Sequence, residues 1–226
     1  MTSPWIWLPK LKRYRNTKTG RFIGAAQMAT LKDIFLAAQR DKMDALAAKL
    51  GRDAMTRREM ILEAREVIKG TTLDCYALAK GGRGHMTQAD YGRVGAMVKV
   101  QYAALQGLEQ RLKDGKLSQA QLAYQLKLYV NATKAAFERG KVASYGVPDL
   151  PAMPGDGTSE CRVNCKCSWK IVETDTEWQC TWQRSAAESC PTCVQRARLW
   201  APLRVPKTVA RFRVDLDSVL HTLTVN

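Results

Sequence analysis

Long hydrophobic runs are missing from this 226-residue chain. No stretch approaches the roughly 20 apolar residues that span a bilayer, and "WIWL" at positions 5–8 is too short for the apolar region of a secretory signal. The expected setting is therefore a reducing interior, without a membrane. Histidine is scarce, with His85 and His221 alone. No HExxH, glycine-rich phosphate loop or Ser/His/Asp arrangement is legible, and the carboxylates scatter along expected helix surfaces, so no enzyme is expected. Acid is absent from residues 1–22 and again from 194–213. Cysteine is not scarce, but its count of seven is odd, which excludes complete pairing into disulfides.

What is present describes a folding chain. Hydrophobic residues make up 46% and charged residues 25%, and the length allows a sizeable core, one domain plus a small appendage. The charge is lopsided: 36 Lys and Arg against 21 Asp and Glu leave +15. Such a surplus concentrates polyanions around the protein, whether nucleic acid, an acidic protein surface or a membrane face. The first acid-free stretch holds Lys10, Lys12, Arg13, Arg15, Lys18 and Arg21; the second holds Arg196, Arg198, Arg204, Lys207, Arg211 and Arg213. Of these, the six of the first stretch with Arg196 and Arg198 are the candidates for contact with a partner or nucleic acid. Solvated surface and a mobile arm over 1–23 form the plainer alternative.

From 24 to 145 the chain spells helix starts and stops. Thr30 with Asp33, Thr56 with Glu59, Thr87 with Asp90 and Ser118 with Gln121 match or approximate capping boxes. Gly51, Gly70, Gly81, Gly82, Gly115 and Gly140 offer exits. Helices are expected near 31–50, 57–80 with a break at Gly70, 88–114 and 119–139. Tyr91, Val94, Val98, Leu105, Leu108 and Leu112, interrupted by Gln101, form one apolar stripe. Leu122, Leu126, Tyr129 and Phe137 form another, and the two helices, joined by "DGKLS", are expected to lie antiparallel.

"YGVPDLPAMPGDGT" then places three prolines and three glycines in fourteen residues, a turn-rich linker. Every cysteine except Cys75 follows it, as do four of the six tryptophans, so a compact module is expected over 146–226. "KCSWKIVE" and "EWQCTWQR" alternate in the manner of strands around "TDT", a hairpin. Pro191 suits the first turn of a short helix. "RFRVDLDSVLHTLTV" at 211–225 alternates well enough for one or two further strands. The expected class is α+β, a mainly helical N-terminal domain followed by a small Cys-rich, zinc-stapled β module.

A module of this size with few aliphatic residues needs a staple, and metal is the usual one where thiols stay reduced. Zinc takes four soft ligands, commonly as two close pairs. Cys161, Cys165 and Cys167 supply one side, Cys190 and Cys193 the other. If 165–171 is extended, Cys165 and Cys167 face the same way as Trp169 and Ile171, and either cysteine can be the ligand. Disulfides or mixed thiols, and a redox pair at "CPTC", remain alternatives. Catalytic zinc is disfavoured, since neither histidine is near the cluster in sequence. Cys75 and Cys180 read as core. Trp169, Trp178, Trp182 and Trp200 either fill the module's core or stack nucleobases beside the basic stretch.

"RVNCKCSWKI" resembles the terminal signature of the phage Mu F-like minor head proteins, also called phage head morphogenesis proteins. In that family a cysteine-asparagine-cysteine run follows a helical region and a turn-rich "DG" segment, and "RYRNTKTGRFI" resembles the opening of phage structural proteins encoded near the portal gene. Carried over, the resemblance marks Asn164, Cys165 and Cys167 as the signature, with Asp156 and Gly157 as the turn before it. Where the family usually has a histidine before its asparagine this chain has Cys161 and Arg162, an exchange that preserves a metal site, and "CPTC" is an addition. The resemblance implies a non-enzymatic virion protein, made in the host cytoplasm and part of a multi-copy assembly. It would contact portal or inner capsid proteins, with packaged DNA as a further contact. The alternative is a zinc-containing nucleic-acid-binding protein.

Overall fold

The computed structural model describes residues 5–8, 11, 13–185 and 189–207. Lys10, Lys12 and the strands expected over 211–225 lie outside the described residues. So do Arg211 and Arg213.

The first surprise is at the start. The residues read as an arm instead form an antiparallel meander of β1 (Trp5–Leu8), β2 (Arg13–Asn16) and β3 (Phe22–Ile23). Alternation explains it: in β2, Tyr14 turns inward and is buried while Arg13 and Arg15 turn out to solvent. Trp7 and Tyr14 pack with ring centroids 4.8 Å apart, and the Tyr14 hydroxyl donates to the Ala79 carbonyl at 3.0 Å. The basic residues made the segment look solvated, but two aromatics on the opposite face anchor it to the helices.

Five helices follow: α1 (Ala25–Gly51), α2 (Arg57–Lys80), α3 (Gln88–Lys113), α4 (Gln119–Ala132) and α5 (Lys134–Ser144). The capping boxes at Thr56, Thr87 and Ser118 form as expected, each hydroxyl accepting the amide three residues on. The fourth does not. α1 begins earlier because "AAQMA" is strongly helix-forming. The Gly24 amide donates to Gln27 Oε1 at 2.9 Å, and Thr30 lies inside the helix, donating to the Ala26 carbonyl. α2 runs through Gly70 without a break. The expected 119–139 helix divides at Thr133, whose hydroxyl bonds back to the Val130 carbonyl at 2.7 Å, a backbone contact that bends helices.

The packing of α4 also differs from expectation. It lies antiparallel against α1, not against α3: Lys127 pairs with Asp44 at 3.2 Å, Arg40 Nε donates to Asn131 Oδ1 at 2.9 Å, and Gln119 donates to the Ala47 carbonyl. α3 packs instead on α2. There the buried Asp90 carboxylate accepts from the Tyr76 hydroxyl at 2.5 Å and from the Thr87 amide at 2.8 Å, with Lys80 at 3.4 Å. Burial works against the charge of Asp90, but these donors outweigh it and hold the carboxyl below its ordinary range. The α3 stripe is buried from Val94 to Leu108, while Tyr91 is exposed. α5 lies along α2, with Gly140 against Tyr76 and the Lys80 ammonium donating to the Ala143 carbonyl at 3.0 Å.

The C-terminal part is a sheet of order β4-β5-β6, formed by β4 (Ser168–Glu173), β5 (Glu177–Gln183) and β6 (Leu203–Pro206), with α6 (Pro191–Leu199) between the last two. The hairpin around "TDT" is as expected, with Trp169 opposite Trp182 and Ile171 opposite Cys180. The linker is not loose: Val147, Leu150, Ala152 and Met153 are buried, and their core includes Ala135 and Val142 of α5. Packing therefore changes along α5, not at residue 146. One face of α5 closes the helical core through Ala136 and Phe137, and another closes the cysteine-bearing core.

A β-carbon at Gly140 would run into the Tyr76 carbonyl oxygen, whereas Gly70 has open space. Gly140→Ala should cost about 1–3 kcal/mol by overpacking. Gly70→Ala should instead add up to about 1 kcal/mol from helix propensity; opposite shifts in the thermal unfolding midpoint are the check. Trp7→Ala should cost on the order of 3 kcal/mol or more, since it removes a buried indole from the core. Unchanged denaturant unfolding in that variant would return the segment to a loose arm.

Candidate metal centre

The centre is assembled by two turns. In the first, Asp156 organises the chain: Oδ2 accepts the Met153 amide at 2.7 Å, and Oδ1 accepts the Thr158 amide at 2.9 Å and hydroxyl at 2.5 Å. A single 3-10 turn at Arg162–Asn164 then lets Cys161 and Cys165 face one point, and the Asn164 side chain accepts from Asn131 of α4 at 3.1 Å. In the second, Cys190 occupies the N-cap of α6, Pro191 its first position, and Cys193 its first turn. Trp169 fastens the first segment from below. Its amide donates to Glu138 of α5 at 3.2 Å and its indole to the Ala152 carbonyl at 3.0 Å.

The sulfurs meet. Cys190 Sγ lies 3.6 Å from Cys161 Sγ, Cys161 Sγ lies 3.8 Å from Cys193 Sγ, and Cys165 Sγ lies 3.7 Å from Cys193 Sγ. The sulfurs of Cys161, Cys165 and Cys193 fall within 4.8 Å of one another. Bonds of about 2.3 Å to a central zinc would place tetrahedral sulfurs about 3.8 Å apart, whereas a disulfide needs about 2.05 Å. All seven cysteines are free thiols, so the donor set is one that could hold a soft metal ion.

The electrostatics differ from thiol to thiol. Burial raises the Cys190 thiol, but the amides of Cys193 and Cys161 and the neighbouring thiols of the same residues outweigh it, bringing it down to about 7. Burial pushes Cys165 up to about 12 against the Cys167 amide that donates to its sulfur. In the absence of a cation, crowded thiolates repel; a bound metal lifts that penalty and deprotonates its ligands. Ser159 Oγ, which no sequence pattern singled out, lies 3.2 Å from Cys161 Sγ.

Between the two open choices, Cys165 is buried with its sulfur 3.7 Å from that of Cys193, while Cys167 is half-buried and its side chain also hydrogen-bonds with the Cys193 thiol. Cys75 and Cys180 are fully buried in the two cores, as expected. Trp169 and Trp182 are buried with an edge-to-face contact of 5.2 Å, and Trp200 stacks on Trp169 at 5.3 Å; these rings fill the core and are not a free stacking platform.

The basic candidates separate. Arg13, Arg15, Lys18 and Arg21 are exposed on the meander and its turn, and Arg198 is exposed on α6. Arg196 does internal work: it donates to the Thr158 carbonyl at 3.0 Å and hydroxyl at 2.8 Å, with its guanidinium over the Trp182 ring. Arg204 pairs with Glu177 at 3.0 Å and Lys207 with Glu173 at 2.9 Å. No helix among the described residues is long and apolar enough to cross a membrane. Comparison of the chain with protein-family models, curated proteins and solved structures gives no match.

Cys193→Ser should abolish metal binding and unfold the C-terminal module while most helical circular dichroism persists. The loss is large, since apparent zinc binding in small peptides is on the order of 10 kcal/mol. Cys75→Ala, far from the cluster in the fold's other core, should retain the metal. Equal metal content in both variants by elemental analysis would contradict the site.

Proposed function

We propose that this chain is a non-enzymatic structural or assembly protein of a phage head, similar to the minor head proteins, with one structural zinc held by Cys161, Cys165, Cys190 and Cys193. The observation that carries this is the position of the signature-like Asn164-Cys165-Lys166-Cys167. Its asparagine docks on α4 and its first cysteine joins the sulfur cluster, so the motif is the joint between the helical body and the module. A joint of that kind suits a rigid building block. The thiol set fits zinc because soft sulfur donors at tetrahedral spacing suit that ion. No histidine or carboxylate shares the group found among the described residues, which suits a structural ion with four protein ligands better than a hydrolytic one.

Function then follows from surfaces. The meander presents Arg13, Arg15, Lys18 and Arg21 outward while its aromatics hold it to the body. That exposed basic face suits an acidic portal or capsid surface, with packaged DNA as a further contact. The same residues favour the second reading, a zinc-containing nucleic-acid-binding protein.

Cross-linking of native particles should place this chain beside portal or capsid proteins, and purified chain should bind duplex DNA weakly at physiological salt. Tight DNA binding with a steep fall as salt rises, and no particle neighbours, would instead establish the nucleic-acid reading. Glutamine at Arg13, Arg15, Lys18 and Arg21 should weaken the partner contact with little change in stability, since none of these side chains is buried.

A further inference from the structure

A second site lies beside the cysteines, in a pocket of about 370 Å³ walled by α1, α5 and the 165–167 segment. Its charges are unbalanced. Lys32 and Arg40, eight residues apart and thus just over two turns along α1, face it from one side. Lys134, the first residue of α5, and Lys166, between Cys165 and Cys167, face it from the others. Two acids are present, and both have other employment. Glu138 accepts the Trp169 amide and pairs with Lys141 at 3.3 Å, and the exposed Asp33 pairs with Lys32 at 3.3 Å.

Lys134 is half-buried, and neither it nor Lys166 has a hydrogen-bond or ion-pair partner among the described residues. Burial, then the charges of Lys32 and Arg40, and that of Lys166 beyond them, press the Lys134 ammonium below the ordinary lysine value, with only the exposed Asp33 carboxylate pulling the other way. A half-buried cation among like charges is costly to keep without a counter-ion, and an anion of high charge density relieves it. Arg40 is oriented by its bond to Asn131, which also holds Asn164, so the pocket is braced by the same contacts that position the turn.

We infer that this pocket binds a phosphate group, with Lys32, Arg40, Lys134 and Lys166 as its cations. Three ammonium groups and a guanidinium fork match a tetrahedral oxyanion with several acceptor oxygens. The phosphate is either free, as an inorganic ion, or part of a nucleic-acid backbone. The pocket's walls on α1 and α5 stand whichever ion the thiols hold.

The test uses the full chain, its Lys134→Gln/Lys166→Gln double variant, and a Lys69→Gln/Lys99→Gln control of equal net charge at exposed helix positions. Inorganic phosphate is titrated by calorimetry and a short DNA duplex by fluorescence anisotropy, with melting and metal content measured on each protein. The expected result is saturable phosphate binding that weakens at least about tenfold in the double variant and not in the control, at unchanged melting and metal content. If duplex affinity falls in the double variant alone, the phosphate belongs to nucleic acid; if it does not, the ligand is the free ion. Absent saturable binding, or an equal loss in the control, overturns the site. A double variant that loses its metal while binding phosphate unchanged also overturns it, because the lysines would then be counter-charges to the thiolates.

Discussion

The C-terminal module is organised by the approach of thiols from two separated turns to within 3.6–3.8 Å. Sulfurs at that spacing are too far apart to bond and close enough to repel when ionised. The cluster could hold an ion at its centre, and with one in place the 155–167 turn and the start of α6 would become a single unit. The three-stranded sheet is short, and its core mixes tryptophan and cysteine with aliphatic residues of α5 and the 147–153 segment. α6 is also held beside β5 by the Trp200 carbonyl, which accepts the Trp182 amide at 3.1 Å, and by Arg196, which reaches Thr158 and lies over Trp182 and Trp200.

α5 carries the second constraint. It is shared between two hydrophobic cores, and Glu138 reaches from it to the backbone of Trp169. The close passage of Gly140 under Tyr76 brings α5 against α2, and Tyr76 in turn holds Asp90 of α3. Sulfur cluster, α5, α2 and α3 thus form one continuous chain of contacts.

How much of this could be read from the sequence depended on whether the signal was local. The caps at Thr56, Thr87 and Ser118, the hairpin at "TDT" and the Pro191 helix start are short-range chemistry, and they were legible. The buried roles of Cys75 and Cys180 followed from a mid-helix position for the first and strand alternation with Trp178 and Trp182 for the second. The meander is masked by its charge: basic residues dominate the segment, and the short alternation that buries Trp7 and Tyr14 is the weaker signal. Thr133 divides a helix through its own hydroxyl, a choice that tertiary packing makes and propensity does not reveal. The five candidate thiols are close in sequence in two clusters, but that Cys161, Cys165 and Cys193 converge on one point depends on how two turns are folded, which spacing does not reveal. The pocket of Lys32, Arg40, Lys134 and Lys166 draws on three distant segments, and no spacing rule would have joined them.

Zinc-edge X-ray absorption on the chain purified under reducing conditions reads the atoms around any bound zinc. Zinc surrounded by sulfur alone at about 2.3 Å is the expected spectrum. A spectrum dominated by nitrogen and oxygen neighbours, or a chain that carries no zinc at all, would contradict it.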